Sequence, residues 1–346
     1  MKLQKTLLII CIALSVPHPK CIAQGTDQTH ELVIVQQNDE AKRRIIKANA
    51  LKFVLGGNYN QLESAAEGFR QNKARFANGD WKLRSFYDAF SEPLQPSDEE
   101  SWSALISAIQ GWGNAKTNSV TARIAMGVAY TGYAWHARGK GWANTVSDEK
   151  DTLMQERLEK AVQCLKDALT VTEKCPHWYA AVQRVALGQG WSRDKYERLY
   201  SEAVAKEPQY FAYYLLKAAY LLPRWYGKPG EWEAFAEQAA TAPNGPGATI
   251  YPRILIHLLS VAGTSVFEDS NAVSWDLAQK GFTEWMMQSP ESIEVPSFYF
   301  YYGGLANDCE SMKSISAVLA NRFDPYVWES QNEFVQLCER TKHECK

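Results

Sequence analysis

Apolar residues recur with a helical period along most of the chain. Leu158, Ala161/Val162, Leu165 and Ala168/Leu169 fall at i, i+3/4, i+7 and i+10/11, one face of an amphipathic helix. Ile45, Ala48, Leu51 and Leu55 predict a similar face for an early helix. Tyr210 to Leu222 (YFAYYLLKAAYLL) is apolar nearly all round, as expected of a helix covered on both sides. Alternating strand patterns are missing. Leu32 to Val35 is the single strand-like run, and one run does not make a sheet. The pattern predicts an all-α protein.

Breaks in this pattern suggest a repeat. Pro176, Pro208, Pro243, Pro290 and Pro325 each fall between helical segments. Most of these spacings lie near the 34-residue period of helix-turn-helix arrays. Tyr200-x2-Ala203-x4-Pro208 has the aromatic, small-residue and proline spacing of the second helix of a tetratricopeptide-like unit. Leu165-x2-Ala168, Phe235-x7-Pro243 and Leu319-Ala320-x4-Pro325 are looser copies. A small Ala lets helices approach, and Pro forbids continuation. Helix starts are expected at the capping box Ser97-Asp98-Glu99-Glu100 and at Ser147, Ser192 and Ser265. The expected fold is a right-handed α-solenoid, or superhelix, of tetratricopeptide-like antiparallel helix pairs. Residues 24–150 would form an N-terminal helical region and 151–346 the clearer repeat array, continuous with it.

The N-terminus changes the setting. Lys2 and Lys5 precede an apolar run, Thr6 to Val16, too short to span a bilayer. Pro17 and Pro19 break it, and Cys21-Ile22-Ala23 offers small residues for cleavage. Residues 1–23 therefore read as a secretory signal peptide, which implies a periplasmic or extracellular protein, peripheral at most to a membrane. No small-residue lipobox precedes Cys11 or Cys21. Five cysteines then remain, Cys164, Cys175, Cys309, Cys338 and Cys345, an odd number. Cys309 is expected to pair with Cys338 or Cys345, and Cys164 to act as a small core residue. The formal net charge of -2 leaves no basic excess for nucleic acid. No Cys/His spacing suits zinc, and no cofactor is expected.

Composition also points to aromatic corners, since the chain has 12 Trp and 17 Tyr. Arg138-Gly139-Lys140-Gly141-Trp142, Gly188-Gln189-Gly190-Trp191-Ser192-Arg193 and Pro223-Arg224-Trp225-Tyr226-Gly227-Lys228-Pro229-Gly230 each follow an apolar helix and precede an amphipathic one. Glycine can end the first helix, and the Trp can fold back into the angle between the two. These spacings match neither a Walker loop nor a dinucleotide fingerprint, and no strand precedes them. The corners read as structural, with a surface for a peptide, glycan or protein as the functional alternative. Trp142, Trp178, Trp191, Arg193, Arg224 and Trp225 are the candidate contact residues. His136 and His177 read as structural. Cys175-Pro176-His177 lacks the geometry for proton transfer between Cys and His. No H-E-x-x-H, G-x-S-x-G or C-x-x-C occurs.

Four strings, "FRQNKARFANGDWKLRSFYDAF", "GYAWHARGKGWANTV", "CPHWYAAVQRVALGQGWSRDKY" and "YYLLKAAYLLPRWYGKPGEWEAFAEQAA", resemble a family of exported bacterial proteins that carry a domain of unknown function. The resemblance spans roughly residues 50 to 260. It implies tetratricopeptide-like helices and brings no catalytic residues.

The expected function is non-enzymatic binding or scaffolding for a protein, peptide or envelope component, with a glycan as a further possible partner. A purely structural role in the envelope is not separable from it by sequence. The alternative is a secreted all-α glycan-active enzyme, which needs a carboxylate pair about 5 to 10 Å apart across a cleft. A closed helical ring with such a pair at its centre would favour the enzyme. An open superhelix would favour the binder.

Overall fold

The computed structural model describes residues 32–345 except 37, 96, 140, 142–145, 172–174, 264–272 and 329. The expected signal peptide and the Ser265 helix start lie outside the described residues. Residues 32–346 form one compact unit. The described residues contain fifteen α-helices and one pair of two-residue strands, an all-α architecture. In chain order the helices are α1 (Asp39–Leu55), α2 (Tyr59–Gln71), α3 (Lys82–Asp88), α4 (Glu99–Ala115), α5 (Val120–Arg138), α6 (Asp148–Ala168), α7 (Pro176–Gly188) and α8 (Arg193–Lys206). There follow α9 (Ala212–Tyr220), α10 (Glu231–Thr241), α11 (Ile250–Ala262), α12 (Trp275–Gln288), α13 (Glu294–Leu305), α14 (Cys309–Leu319) and α15 (Gln331–Glu344). The division expected at residue 150 falls inside α6.

Helices pack on their chain neighbours, and α5, α7, α9 and α11 also pack on one another in succession. The alternation in sequence explains this. In α9 every residue but Leu216 is buried, whereas α8 buries only Tyr196, Leu199 and Ala203. Helices such as α9 form an inner row, and amphipathic ones cover it. In α6 the expected stripe is buried through Leu158, Ala161, Leu165 and Ala168, with Leu169 left exposed. Close packing needs glycine at one place in particular. A Cβ on Gly132 of α5 would lie 2.0 Å from the Ser91 carbonyl oxygen.

Helix ends follow local chemistry. Pro176 opens α7, where its missing N–H costs nothing. Ser147 caps α6 by accepting from the Lys150 N–H, and Ser192 precedes α8. At α4 the cap is one residue later than the capping box predicts. Asp98, not Ser97, accepts the Ser101 N–H at 2.8 Å.

Two expectations need correction. Leu32 to Val35 does pair, because Val33–Ile34 (β1) lies parallel to Arg322–Phe323 (β2). The first helix also turns a different face inward. Ile45, Ala48 and Leu55 are exposed, while Ala50, Leu51 and Val54 are buried beside half-buried Arg43 and Lys47. The β1–β2 pair and the Asn38 to Asp324 hydrogen bond (2.6 Å) bring the early and late parts of the helical path together.

Cys309, at the start of α14, is disulfide-bonded to Cys345, just beyond α15. Cys175 is buried, and Cys164 and Cys338 are half-buried thiols. Reducing the disulfide, or replacing both partners with Ser, should lower unfolding stability by about 2–4 kcal/mol, read by urea titration. An unchanged midpoint would show that the α14–α15 contacts suffice.

Candidate functional site

The early and late helices meet around a turn, residues 74–82, that projects inward between α2 and α3. It is an ordered loop, since Phe76 N–H donates to Asp80 O and Lys82 N–H to Ala74 O. Its tip is Asn78, 1% exposed. The Asp39 carboxylate, in the first turn of α1, accepts the Ala77 and Asn78 N–H groups at 3.2 and 2.7 Å. The Asn78 carbonyl accepts from Arg253 Nη2 and Trp285 Nε1, each at 2.6 Å. Its side-chain amide donates to Glu294 Oε1 at 2.8 Å and to Asp80 Oδ2 at 3.2 Å. One residue thus ties together α1, α11, α12 and α13.

Two ion pairs flank this tip. Arg43 of α1 grips Glu294 with both guanidinium arms, at 2.9 and 3.0 Å. Arg253 of α11 reaches Asp80 at 2.5 Å, with its guanidinium over the rings of Trp285 (3.8 Å) and Phe211 (4.2 Å). Desolvation pushes the Glu294 carboxyl up, and Arg43 only partly offsets it. Desolvation also acts on Asp80, but Arg253 and Arg43 outweigh it and hold that carboxyl below its usual range.

Above this floor is a cavity of about 240 Å³. Its other walls are Glu40 and Lys47 from α1, Arg84, Ser85 and Asp88 from α3, Leu215 from α9, and Ile256, His257 and Ser260 from α11. Trp81 and Phe298 add apolar surface. Arg84 Nε lies 3.6 Å from Asp88 Oδ2. Desolvation works against the Asp88 charge, but Arg84, His177, Lys47 and Arg184 together keep the carboxyl low. Burial drives both His257 and His177 down to about 3, so both imidazoles are neutral at pH 7. His177 stacks on Tyr87 with ring centroids 4.5 Å apart, and its Nδ1 lies 2.7 Å from the Tyr210 hydroxyl. Among the described residues no three His, Cys, Asp or Glu side chains gather as metal ligands.

The residues singled out in the sequence lie elsewhere. Trp191, Arg193, Arg224 and Trp225 run along one edge, where the aromatic corners do meet. Arg193 donates to the Glu231 carboxylate at 3.0 Å and to the Tyr226 carbonyl at 3.1 Å, which joins the second corner to the third. The Arg138 guanidinium lies 5.3 Å from the Trp225 ring centre, which joins the first corner to the third. Trp225 packs edge-on to Trp135 at 5.5 Å, and Lys195 sits 3.2 Å from the Trp191 ring centre. Arg224 donates to the Val261 carbonyl at 3.4 Å. Gly190 takes φ +62° at the second corner, a left-handed turn that favours glycine. Trp178 is apart from these, at the opposite end of α7, donating to Leu165 O at 2.8 Å. Trp142 lies outside the described residues. His136 rests against Trp102, with ring centroids 5.8 Å apart. The Cys175 thiol faces the Tyr87 hydroxyl at 3.6 Å.

None of the cavity residues belongs to a recognisable sequence motif. A weaker signal was present. Arg43/Lys47, Arg84/Asp88 and Arg253/His257 are polar pairs one helical turn apart, and the last sits inside the apolar run IYPRILIHLLSVA. Polar residues spaced that way on an otherwise buried face mark a shared polar interior. No protein-family model matches the chain, and no curated protein or solved structure matches it.

Two outcomes test this geometry. Arg43→Met leaves the Glu294 charge buried without its fork and should cost about 3–5 kcal/mol at pH 7. Adding Glu294→Gln should recover part of that loss in a double-mutant cycle. Strict additivity would mean that the pair does not couple. Acid should also destabilise the fold through the histidines. The folded pKa of His177, about 3, lies below the unfolded value of 6.5, so the unfolded chain binds the extra proton between those limits. Stability present above pH 6.5 is then lost as the pH falls, by about 1.4 kcal/mol per pH unit for each such imidazole. His177→Gln should flatten the slope of stability against pH by about one proton, and an unaltered slope would show that His177 titrates normally in the fold.

Proposed function

We propose that the protein is a non-enzymatic binding module. In this reading, tetratricopeptide-like antiparallel helix pairs curve into a superhelix around the central polar cavity, which receives a small polar ligand. Export by the N-terminal segment, and hence a periplasmic or extracellular setting, belongs to the same proposal. The repeat reading is supported by the two sequence copies 35 residues apart. Tyr200 of α8 and Phe235 of α10 occupy the same motif position and pack edge-to-face at 5.6 Å.

One observation favours binding over chemistry: the floor carboxylates are already tied down. Both Glu294 oxygens accept from Arg43, and Asp80 is paired with Arg253. A general acid or nucleophile needs a free oxygen facing the substrate. The edge residues make a weaker small-ligand site, because Trp191 and Arg193 direct polar groups to neighbours within the chain. That edge suits a protein or peptide partner better than a small molecule.

Glycoside hydrolysis has one observation in its favour. Asp80 and Glu294 line one cavity where the two ends of the helical path meet, and their acidities are pushed in opposite directions. Release of sugar from a polysaccharide panel, lost in Glu294→Gln, would establish the enzyme instead.

The binding reading is tested by native mass spectrometry. The folded chain is incubated with a mixture of sugars, amino acids, dicarboxylates and phosphate monoesters. A retained ligand is expected for the wild type and for the Arg224→Ala/Trp225→Ala variant, and none for Ile256→Trp, whose added ring fills the cavity. The reverse pattern would move the site to the edge.

A further inference from the structure

We infer that the central cavity takes one neutral polyhydroxylated ring, a hexose or a cyclitol, seated against Phe298 and Tyr326. This rests on the cavity being the binding site and narrows its ligand to one class. The charged side chains of the lining balance, four cations against four acids. They also pair. Each of the four carboxylates has an arginine of the same lining as its neighbour. Glu294 and Glu40 lie 2.9 and 3.6 Å from Arg43, Asp80 lies 2.5 Å from Arg253, and Asp88 lies 3.6 Å from Arg84. The lining therefore has no net charge to offer a ligand, and the fields of its pairs largely cancel. An anion drawn to one of these arginines also meets the carboxylate beside it. A hydroxyl meets no such conflict. It donates and accepts at once, so it can bridge a guanidinium N–H and the adjacent carboxylate oxygen and leave the pair intact.

Uncharged groups of the lining have the same double character. The His257 imidazole, kept neutral by burial, has one donor and one acceptor nitrogen. The Ser260 hydroxyl donates to the His257 carbonyl at 2.7 Å and keeps its oxygen for accepting. The lining also has an apolar corner. Phe298 of α13 and Tyr326 meet edge-to-face, with ring centroids 6.3 Å apart. Phe298 is half-buried and Tyr326 is 46% exposed, so both rings keep open surface. The weakly positive C–H face of a sugar ring packs against the negative face of an aromatic ring, and its rim of hydroxyls is left for the ion pairs. A phosphate or a short dicarboxylate has no such face. The size agrees. At about 240 Å³ the cavity lies just below the roughly 300–1,000 Å³ of pockets for drug-sized molecules, room for one ring and not for a chain.

The test is calorimetric titration of the full chain with glucose, galactose, mannose and myo-inositol, and separately with inorganic phosphate, succinate and glycine. At least one of the four polyols should bind, more tightly than any of the three charged probes. Its affinity should change less than about twofold when the salt concentration is raised tenfold, because no net charge is exchanged. Phe298→Ala and Tyr326→Ala should each weaken it by about fivefold. Tyr326 is largely open to solvent, so Tyr326→Ala remains informative if Phe298→Ala disturbs the fold. Phosphate, succinate or glycine as the tightest ligand, with that binding lost in Ile256→Trp, overturns the neutral ring while the cavity stands. Polyol affinity that is unchanged in Tyr326→Ala but lost in Ile256→Trp overturns the seating in the same way. Binding of any probe that survives Ile256→Trp, or no binding of any of the seven, overturns the cavity as well.

Discussion

The interior is organised by the hydrogen bonds of Asn78. Its backbone N–H, its carbonyl and its side-chain amide reach four helices that are far apart in sequence. A buried amide with unmet groups would cost about 1–3 kcal/mol for each. The turn at 74–82 can therefore sit at the centre only if Asp39, Arg253, Trp285 and Glu294 all converge on it. That requirement fixes the spacing of α1, α11, α12 and α13, and with it the dimensions of the cavity. The arginine pairs follow from the same constraint. Asp80 and Glu294 are both brought in by Asn78, and neither charge is tolerable there without a guanidinium beside it.

The polar centre sits in an otherwise ordinary helical array. The outer helices bury one stripe, the inner row is buried nearly all round, and aromatic rings fill the angles between them. Tyr179, Tyr196, Tyr213 and Tyr220 are all fully or almost fully buried, and several pass their hydroxyl protons to neighbouring carbonyls or side chains. Much of the unusual aromatic content therefore serves packing. Trp191 and Trp225 belong to the same class of contact, with cations laid over their faces.

Helix class and helix breaks were legible in the sequence because they depend on neighbours within a few residues; of the caps, Ser147 was legible, while Asn38, Ser119, Ser274, Asp308 and Ser330 were not. Pro176 opens a helix, and Gly190 turns one, whatever the rest of the chain does. The face of α1 was not legible. Ile45 and Leu55 look like core residues, yet they are 59% and 45% exposed, while Arg43 and Lys47 turn inward. Apolar periodicity assumes an apolar interior, and here the interior is charged. For the same reason the aromatic corners stand out in the sequence and the cavity does not. The string FRQNKARFANGDWKLRSFYDAF holds the inward turn, but nothing local shows that its Asn, Asp and Arg residues meet α11 and α13. Those contacts span more than 170 residues. The disulfide was narrowed to two partners because Cys309, Cys338 and Cys345 share one stretch of chain. The choice of Cys345 depends on how α15 lies against α14.

The pairing of β1 with β2 has a consequence for the order of assembly. Contacts among α5 to α11 link near neighbours and can form early. The seam joins Asn38 to Asp324, 286 residues apart, and its loop-closure entropy is repaid only once the intervening helices are in place. The Arg43–Glu294 fork crosses the same divide, over 251 residues. The cavity floor is therefore a late product of folding. An opening confined to the seam would take the floor apart and leave the contacts of the inner row in place.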